Sequence, residues 1–406
     1  MRVLLIGSGG REHALAWTLS QSSRLDELHA APGNPGIATL GECHPVGAED
    51  AEGLLDLARV VAADLVIVGP EAPLVAGVGD ELRHAGIAVF GPGREAARIE
   101  GSKRFAKEVM TAAGVRTAET LAVARPPCVL KVDGLAAGKG VFVCPDQESL
   151  GRALVDVARL DQPVVIEELL DGEELSLFAV ADGTNAMALA PARDYKRVGD
   201  DDTGPNTGGM GAYSPVADIG SADVEELIET VHRPVLAELA RRGSPFVGLL
   251  YAGLMLTDDG PKVLEFNCRF GDPETQAILP RLRGDLLETL AAAAAGDLSS
   301  AGLEVGDEAA VTVVLAGRDY PARSDSGTLI AGVADAEATG ALVFHAGTAM
   351  RGGSLVTNGG RVLNVTALGA SVDEARRSVY EACGRISFDG MQFRSDIARS
   401  EVNVAT

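Results

Sequence analysis

No stretch of the sequence approaches the roughly 20 consecutive apolar residues that a membrane helix needs, and the alanine run Ala291–Ala295 reads as part of an amphipathic helix. The apolar start of MRVLLIGSGG is too short for a signal peptide, and glycines break it at once. Positive charge is scarce: 35 Lys and Arg stand against 58 Asp and Glu, a net charge of −23. That imbalance argues against a nucleic-acid partner, whose phosphates need a positive surface. It leaves room for small anions, which need only a local cluster of basic groups and backbone N–H donors. Cysteine is sparse: Cys43, Cys128, Cys144, Cys268 and Cys383 are scattered, odd in number, and without metal-ligand spacing. A reduced compartment follows, and a soluble, cytoplasmic protein without membrane contact is expected.

What remains is enough for two to four compact domains: 406 residues, 46% of them hydrophobic. Residues 1–100 alternate strand and helix. Val3–Ile6, Asp64–Val68 and Ile87–Phe90 read as strands, and Arg11–Ser20, Ala51–Val61 and Val75–Ala85 as helices. Strands that end in Gly/Pro turns and alternate with helices predict a doubly wound parallel sheet covered on both faces. Ligands on such sheets sit at the carboxyl ends of the strands, here GSGGRE, APGNPG and GPEAPL. From residue 101 the texture becomes α+β. A lysine-rich helix over GSKRFAKEVMTAAG leads to the strands Val129–Val132 and Pro163–Ile166. A hairpin turns at Asp182-Gly183, a helix covers Asp223–Arg242, and two strands meet through Thr257–Pro261. From about 308 the chain reads as antiparallel strands closed by a helix near Val372–Ile386.

Four motifs carry chemistry. GSGGREHAL, Gly7–Leu15, offers backbone N–H groups and a helix start to a phosphate. A dinucleotide fingerprint would want a third glycine where Glu12 stands and an acid ending the second strand, which instead ends Ala-Pro-Gly. Arg11 suits a phosphate; a tight turn with no ligand is the plain alternative. KVDGLAAGKGV, Lys131–Val141, is glycine-rich but not a P-loop: Gly134 and Gly138 enclose three residues, and Lys139 precedes Gly140 rather than Ser or Thr. Lys131 at the end of a buried strand wants an anion, and Asp133 could serve.

EELLDGEELSL, Glu167–Leu177, runs a strand into a cluster of carboxylates, either surface charge or a hinge that reads an adenine edge and ribose hydroxyls. In KVLEFNCRFGDPETQ, Lys262–Gln276, Glu265 and Asn267 lie two apart on a strand and so share a face. An oxygen-only pair suits Mg2+ or Mn2+, and Arg269 follows on the same face for a phosphate or carboxylate. Asp272-Pro273 could equally be ordinary helix-capping chemistry.

In this order the pieces resemble the ATP-grasp superfamily, and within it glycinamide ribonucleotide synthetase. The resemblance rests on GSGGREHAL, PGNPG, VGPEAPL, KVDGLAAGKGV, VVIEELLDGEELS, GPNTGGMGAYSP and LEFNCRFGDPETQ, and spans nearly the whole chain. It implies an N-terminal pre-ATP-grasp domain (1–100), an ATP-grasp domain (101–305, lid subdomain about 115–170) and a C-terminal mixed domain (306–406). It further implies glycyl phosphate formation from ATP and glycine, then attack by the amine of 5-phosphoribosylamine, with ATP and Mg2+ or Mn2+ as cofactors and a monomeric enzyme. By the same resemblance, Lys103 and Lys131 touch the nucleotide phosphates under a flap of Asp133, Gly134, Gly138, Lys139 and Gly140. Glu167, Glu168, Leu169 and Leu170 form the adenine hinge, with Glu174 on the ribose. Glu265 and Asn267 hold the metal, and Arg269 with Lys131 is catalytic. Gly9, Gly10, Arg11, Glu12, Glu71, Asp194, Lys196, Asn206, Thr207, Gly208, Gly209, Arg269, Gly271 and Asp272 line the acceptor side.

Two departures stand out. The chain is short between Thr117 and Cys128, where the family carries a longer helical segment. The strand GLLYAGLML also lacks the third acidic metal ligand of many ATP-grasp enzymes, so two protein ligands are expected. The rival readings are another ATP-grasp carboxylate–amine ligase or carboxylase, a dinucleotide oxidoreductase on residues 1–100, and a non-catalytic nucleotide-binding regulator.

Overall fold

The computed structural model describes residues 1–135 and 140–399. The first hundred residues build a parallel five-stranded sheet. Its elements are β1 (Arg2–Gly7), α1 (Gly10–Leu19), β2 (Glu27–Pro32), β3 (Glu42–Cys43), α2 (Ala51–Val60), β4 (Leu65–Val68), α3 (Glu71–Ala76), α4 (Val78–His84) and β5 (Ala88–Phe90). The order β3-β2-β1-β4-β5 is doubly wound, as the strand–turn–helix rhythm predicts. β1 and β4 are apolar and almost wholly buried because helices cover both faces. The helix expected over Val75–Ala85 is instead two helices. Gly77 holds φ +90° between them, a left-handed conformation that ends α3 and starts α4.

α5 (Arg94–Gly101) and α6 (Lys103–Ala113) follow, separated where Ser102 caps α6 by accepting from Phe105 N–H at 3.2 Å. A small lid comes next: β6 (Cys128–Val132), β7 (Val141–Cys144), α7 (Gln147–Leu160) and β8 (Val164–Glu168), an antiparallel sheet in the order β7-β6-β8. Its core is modest, centred on Cys128, Leu130, Cys144, Leu150 and Ala153. The segment 117–127 contains no helix or extended strand, only the isolated bridges of Thr117 to Val263 and Thr120 to Glu167.

The chain continues through β9 (Glu173–Asp182), β10 (Ala186–Ala188), β11 (Arg193–Asp194), β12 (Arg197–Gly199), β13 (Thr203–Asn206), β14 (Gly211–Ser214), α8 (Ser221–Leu227), α9 (Arg233–Arg241), β15 (Val247–Thr257) and β16 (Gly260–Asn267). The helix expected over Asp223–Arg242 is interrupted by a π-helical turn at Ile228–His232, just before Pro234, which has no N–H to continue a regular ladder. β10-β9-β15-β16 form the central antiparallel sheet. Then come α10 (Glu274–Ile278), the short pair β17 (Leu282–Arg283) and β18 (Glu304–Val305) flanking α11 (Leu286–Ala294), β19 (Ala309–Ala316), β20 (Asp325–Leu329), α12 (Val333–Glu337), β21 (Leu342–His345), β22 (Thr348–Arg351), β23 (Ser354–Gly359), β24 (Arg361–Gly369) and α13 (Val372–Cys383).

A sheet crosses the boundary drawn at residue 305. β11 and β14, from the middle of the chain, join β19, β24 and β21 in the order β11-β14-β19-β24-β21. The glycine-rich run around residue 208 is thereby tied to the C-terminal region. Among the described residues, no helix is long and apolar enough to cross a membrane.

Candidate active site

One cavity of about 980 Å³ opens between the parallel sheet, the lid, the central sheet and the C-terminal strands. Its walls carry most of the residues singled out above, drawn from positions as distant as Arg11 and Arg361.

The strand β16 supplies the floor. Its two-residue period places Glu265 and Asn267 on the cavity side. Burial opposes ionisation of Glu265, but Lys103, Lys196, Lys131 and Arg269 outweigh it and hold the carboxyl at about 2. Lys103 Nζ stands 3.5 Å from it. Arg269 is clamped: its guanidinium meets Glu100 at 3.1 Å, Glu71 at 3.2 Å and the Phe270 carbonyl at 3.1 Å. It also donates to Asn267 Oδ1 at 3.4 Å. Glu71, placed at the start of α3 where β4 ends, therefore meets the cavity as a partner of Arg269. Glu100 was missed. It is buried on α5 and also accepts from Cys268 N–H at 2.8 Å. An acid on the face shared with Ala96, Ala97 and Ile99 was the available signal.

Lys131 finds its anion elsewhere than expected. Asp133 turns to Ser102 Oγ at 2.9 Å and the Arg104 guanidinium at 3.9 Å. The partner of Lys131 is Glu167, at 2.7 Å, and the Glu167 carboxylate also meets Lys107 at 2.9 Å. Lys131 donates as well to the Leu264 carbonyl at 2.7 Å. The cross-strand register of β6 with β8 brings the two chains together. Thus Glu167 lines the cavity with its side chain committed to two lysines. Lys107, one turn after Lys103 on α6, was missed although the i,i+4 spacing puts both on one face. The neighbouring Glu168 points the other way, accepting from Glu119 N–H and Lys262 Nζ, each at 2.9 Å. Those two bonds hold its pKa below the usual carboxylate range. Leu169, Leu170 and Glu174 continue along the wall. Gly134 and Gly140 border the cavity, and Gly138 and Lys139 lie outside the described residues.

On the opposite side, Lys196 is shared between Glu174, in direct contact, and Asp194 at 3.5 Å. Burial raises the Asp194 carboxyl to about 7; Lys196 opposes the rise, and Glu274 and Glu174 add to it. Between pH 4 and 7 the unfolded chain therefore releases a proton that the folded chain keeps, so this group's contribution to stability falls as pH rises through that window. We expect Asp194→Asn to gain stability relative to the parent between pH 4 and 7, read by urea unfolding at several pH values. A constant difference across that range would contradict a raised Asp194.

Asn206, Thr207 and Gly208 border the cavity. Gly208 N–H donates to Tyr320 OH at 3.1 Å, and its carbonyl accepts from Arg361 at 2.6 Å. Arg361 also meets Asp272 at 3.1 Å, and that cation holds the buried carboxylate down against its burial. Tyr320, Arg323 and Arg361 are cavity residues that the motifs did not reveal. Five residues expected on the acceptor side, Gly9, Gly10, Glu12, Gly209 and Gly271, do not line the cavity. Glu12 turns back under its own loop, accepting from Gly9 N–H and Arg11 Nε, each at 2.6 Å. Gly10 packs so closely on Asn364 that a Cβ would lie 2.1 Å from its Nδ2. Gly209 and Gly271 pack against Pro273 and Glu274. Of the Gly9–Glu12 loop, Arg11 reaches the cavity.

Comparison with known proteins agrees with this fold. The family descriptions that match are phosphoribosylglycinamide synthetase, N domain, over residues 1–100; its ATP-grasp (A) domain over 101–275; and its C domain over 310–400. The chain belongs to the phosphoribosylglycinamide synthetase family. The phosphoribosylamine–glycine ligase of Streptomyces coelicolor is 52% identical over 98% of this chain and 99% of its own. That of Mycobacterium tuberculosis is 50% identical over 98% of this chain and 97% of its own. The crystal structure of the Thermotoga maritima phosphoribosylamine–glycine ligase superposes with a TM-score of 0.84 at 36% identity, covering 98% of this chain and 100% of that one. The biotin carboxylase domain of Hydrogenobacter thermophilus 2-oxoglutarate carboxylase has a TM-score of 0.73 at 15% identity and shares the fold alone. The phosphoribosylglycinamide synthetase family thus accounts for all three regions of the chain. The separate dinucleotide-oxidoreductase reading of residues 1–100 is set aside.

Proposed function

We infer that this cavity ligates glycine to 5-phosphoribosylamine at the expense of ATP, giving glycinamide ribonucleotide, ADP and phosphate, the second step of purine biosynthesis. The observation that carries the reading is the convergence of Glu265, Asn267 and Arg269 with Lys103 and Lys131 in one cavity, beneath the lid and beside the hinge at residues 167–170.

The triphosphate enters between the lid and β16. Lys103 and Lys131 meet its oxygens as positive charges already held in place, so little reorganisation is needed when charge shifts. The apolar side chains of Ala118, Val129, Val143, Met255, Leu169 and Leu264 line the adenine end, a surface suited to a flat base. An oxygen-liganding divalent cation fits Glu265 and Asn267: both offer oxygen, both sit on one face of β16, and Glu265 is ionised at any working pH. Bound there, Mg2+ or Mn2+ would neutralise phosphate charge.

Arg269, locked by Glu71 and Glu100, orients the glycine carboxylate toward the γ-phosphate. A carboxylate oxygen attacks the γ-phosphorus as its bond to the bridging oxygen of ADP breaks, giving glycyl phosphate. The amine of phosphoribosylamine then attacks the acyl carbon. The acyl–oxygen bond breaks, phosphate leaves, and the amine loses one proton to solvent. Arg11, Lys196, Arg361, Asp272 and the 206–208 segment hold the acceptor. The five free cysteines agree with a reduced, cytoplasmic setting, and the reading takes the enzyme as a monomer with small-molecule substrates and no nucleic-acid or membrane partner.

ADP release is expected only when glycine, freshly made phosphoribosylamine, ATP and Mg2+ or Mn2+ are all present. ATP turnover that depended on bicarbonate or a purine intermediate, and not on glycine, would move the chain to another ATP-grasp reaction.

A further inference from the structure

A second cluster of ligand-type side chains lies on the parallel sheet, none of it lining the ligation cavity. The register of β2 with β3 sets His29 opposite Glu42. The two-residue period of an extended chain then returns His44 to the face of Glu42, and His44 N–H donates to the Ala30 carbonyl at 2.8 Å, which fixes its position. His29 Nδ1 lies 3.1 Å from His44 Nε2 and 3.9 Å from Glu42 Oε2. One ligand atom from each residue falls within 4.8 Å of the others, the one such His/Cys/Asp/Glu group among the described residues.

The surroundings are those of a metal ligand. His29 is 8% exposed, and its other nitrogen, Nε2, has no hydrogen-bond partner among the described residues. Glu27 Oε2 stands 3.5 Å from that nitrogen. A carboxylate behind the far ring nitrogen is the usual device for fixing the tautomer and orientation of a ligating histidine. A small swing of Glu27 toward Nε2 would hold hydrogen there and leave the Nδ1 lone pair facing His44 and Glu42. Two nitrogens bound to one tetrahedral ion at about 2.0–2.1 Å would lie about 3.3–3.4 Å apart, so the observed 3.1 Å needs only a small ring rotation. The Glu42 side chain is 70% exposed, which leaves an entry path and a position for water.

We propose that His29, His44 and Glu42 form a three-ligand site for a borderline divalent cation of the Zn2+ type, with Glu27 as the positioning carboxylate. The donor set is nitrogen-rich, unlike the oxygen pair Glu265 and Asn267, so the two sites select different ions. Because β3 is the edge strand of its sheet, an ion here clips that edge to β2 and stabilises the fold by mass action.

The test is calorimetric titration of the full chain with Zn2+ in excess Mg2+. One saturable equivalent is expected, accompanied by a rise in melting temperature. His44→Gln should weaken binding by about 100-fold or more, and Glu27→Gln by about 10-fold with the stoichiometry kept. Glu42→Gln, at an exposed position, repeats the ligand test without disturbing the core. Co2+ should give visible ligand-field bands without the near-ultraviolet band of a thiolate, which excludes Cys43. Two neutral imidazoles sharing one hydrogen is the competing arrangement. The site is overturned by no saturable Zn2+ binding in the micromolar range, by unchanged affinity in either ligand variant, or by a thiolate band.

Discussion

Replacing Glu265 with alanine should reduce glycine-dependent ADP release by about 1,000-fold or more while the protein stays folded. The side chain sits among Lys103, Lys196, Lys131 and Arg269, whose combined charge keeps it ionised despite burial. It is the carboxylate of the proposed metal pair, so its loss leaves Asn267 alone with the ion. It is also the acidic partner of Lys103, at 3.5 Å, whereas Lys131, Lys196 and Arg269 keep carboxylates of their own. Metal-free nucleotide should therefore bind the variant at least as tightly as the parent, because Lys103 loses its competing carboxylate. Steady-state turnover, nucleotide titration without divalent ions, and thermal unfolding separate these effects. Near-normal turnover would remove Glu265 from the metal assignment.

Glu167→Ala should act through stability. Its carboxylate is 3% exposed and lies between Lys131, whose side chain is 7% exposed, and Lys107. Truncation leaves two ammonium groups facing each other in a poorly hydrated place. Breaking a buried ion pair from one side costs about 3–5 kcal/mol, since the remaining charge loses its compensation. The small core under the lid has little to offset such a loss, so hydrogen exchange should rise first in β6 and β8. ATP affinity should fall with it, because Lys131 loses the group that aims it. Urea unfolding gives the magnitude; a cost below about 1 kcal/mol would mean that the lysines find other partners or water. Glu167→Gln, which keeps the shape, should fall between the two.

These two residues mark how far the sequence can be read. Glu265 and Asn267 were legible because a strand's two-residue period is local: any extended chain puts them on one face. The parallel sheet was legible for the same reason, since each apolar run ends in its own glycine or proline turn. Glu167 is expected in the adenine hinge because the run from Glu167 to Leu170 resembles the family's hinge motif. Its partners, Lys131 and Lys107, are chosen by the pairing of β6 with β8 and by the placement of α6, which brings Lys107 within 2.9 Å, contacts that no local pattern encodes. Gly77 divides an otherwise continuous helical pattern through a left-handed conformation that the apolar periodicity does not register.

The sequence by itself determined most element types and the candidate motifs for phosphate and metal, because each depends on residues close together in the chain; the reaction class followed from the resemblance of those motifs to a known family. Only the tertiary structure decided which charges neutralise one another and which loops reach the cavity. Glu12 turns inward to brace its own loop, Arg361 arrives from the last sheet to hold Gly208 and Asp272, and β11 and β14 leave the middle of the chain to join that sheet. Charge pairing and cavity walls are long-range quantities. They depend on burial and on distances set by packing, and those exist only once the chain has folded.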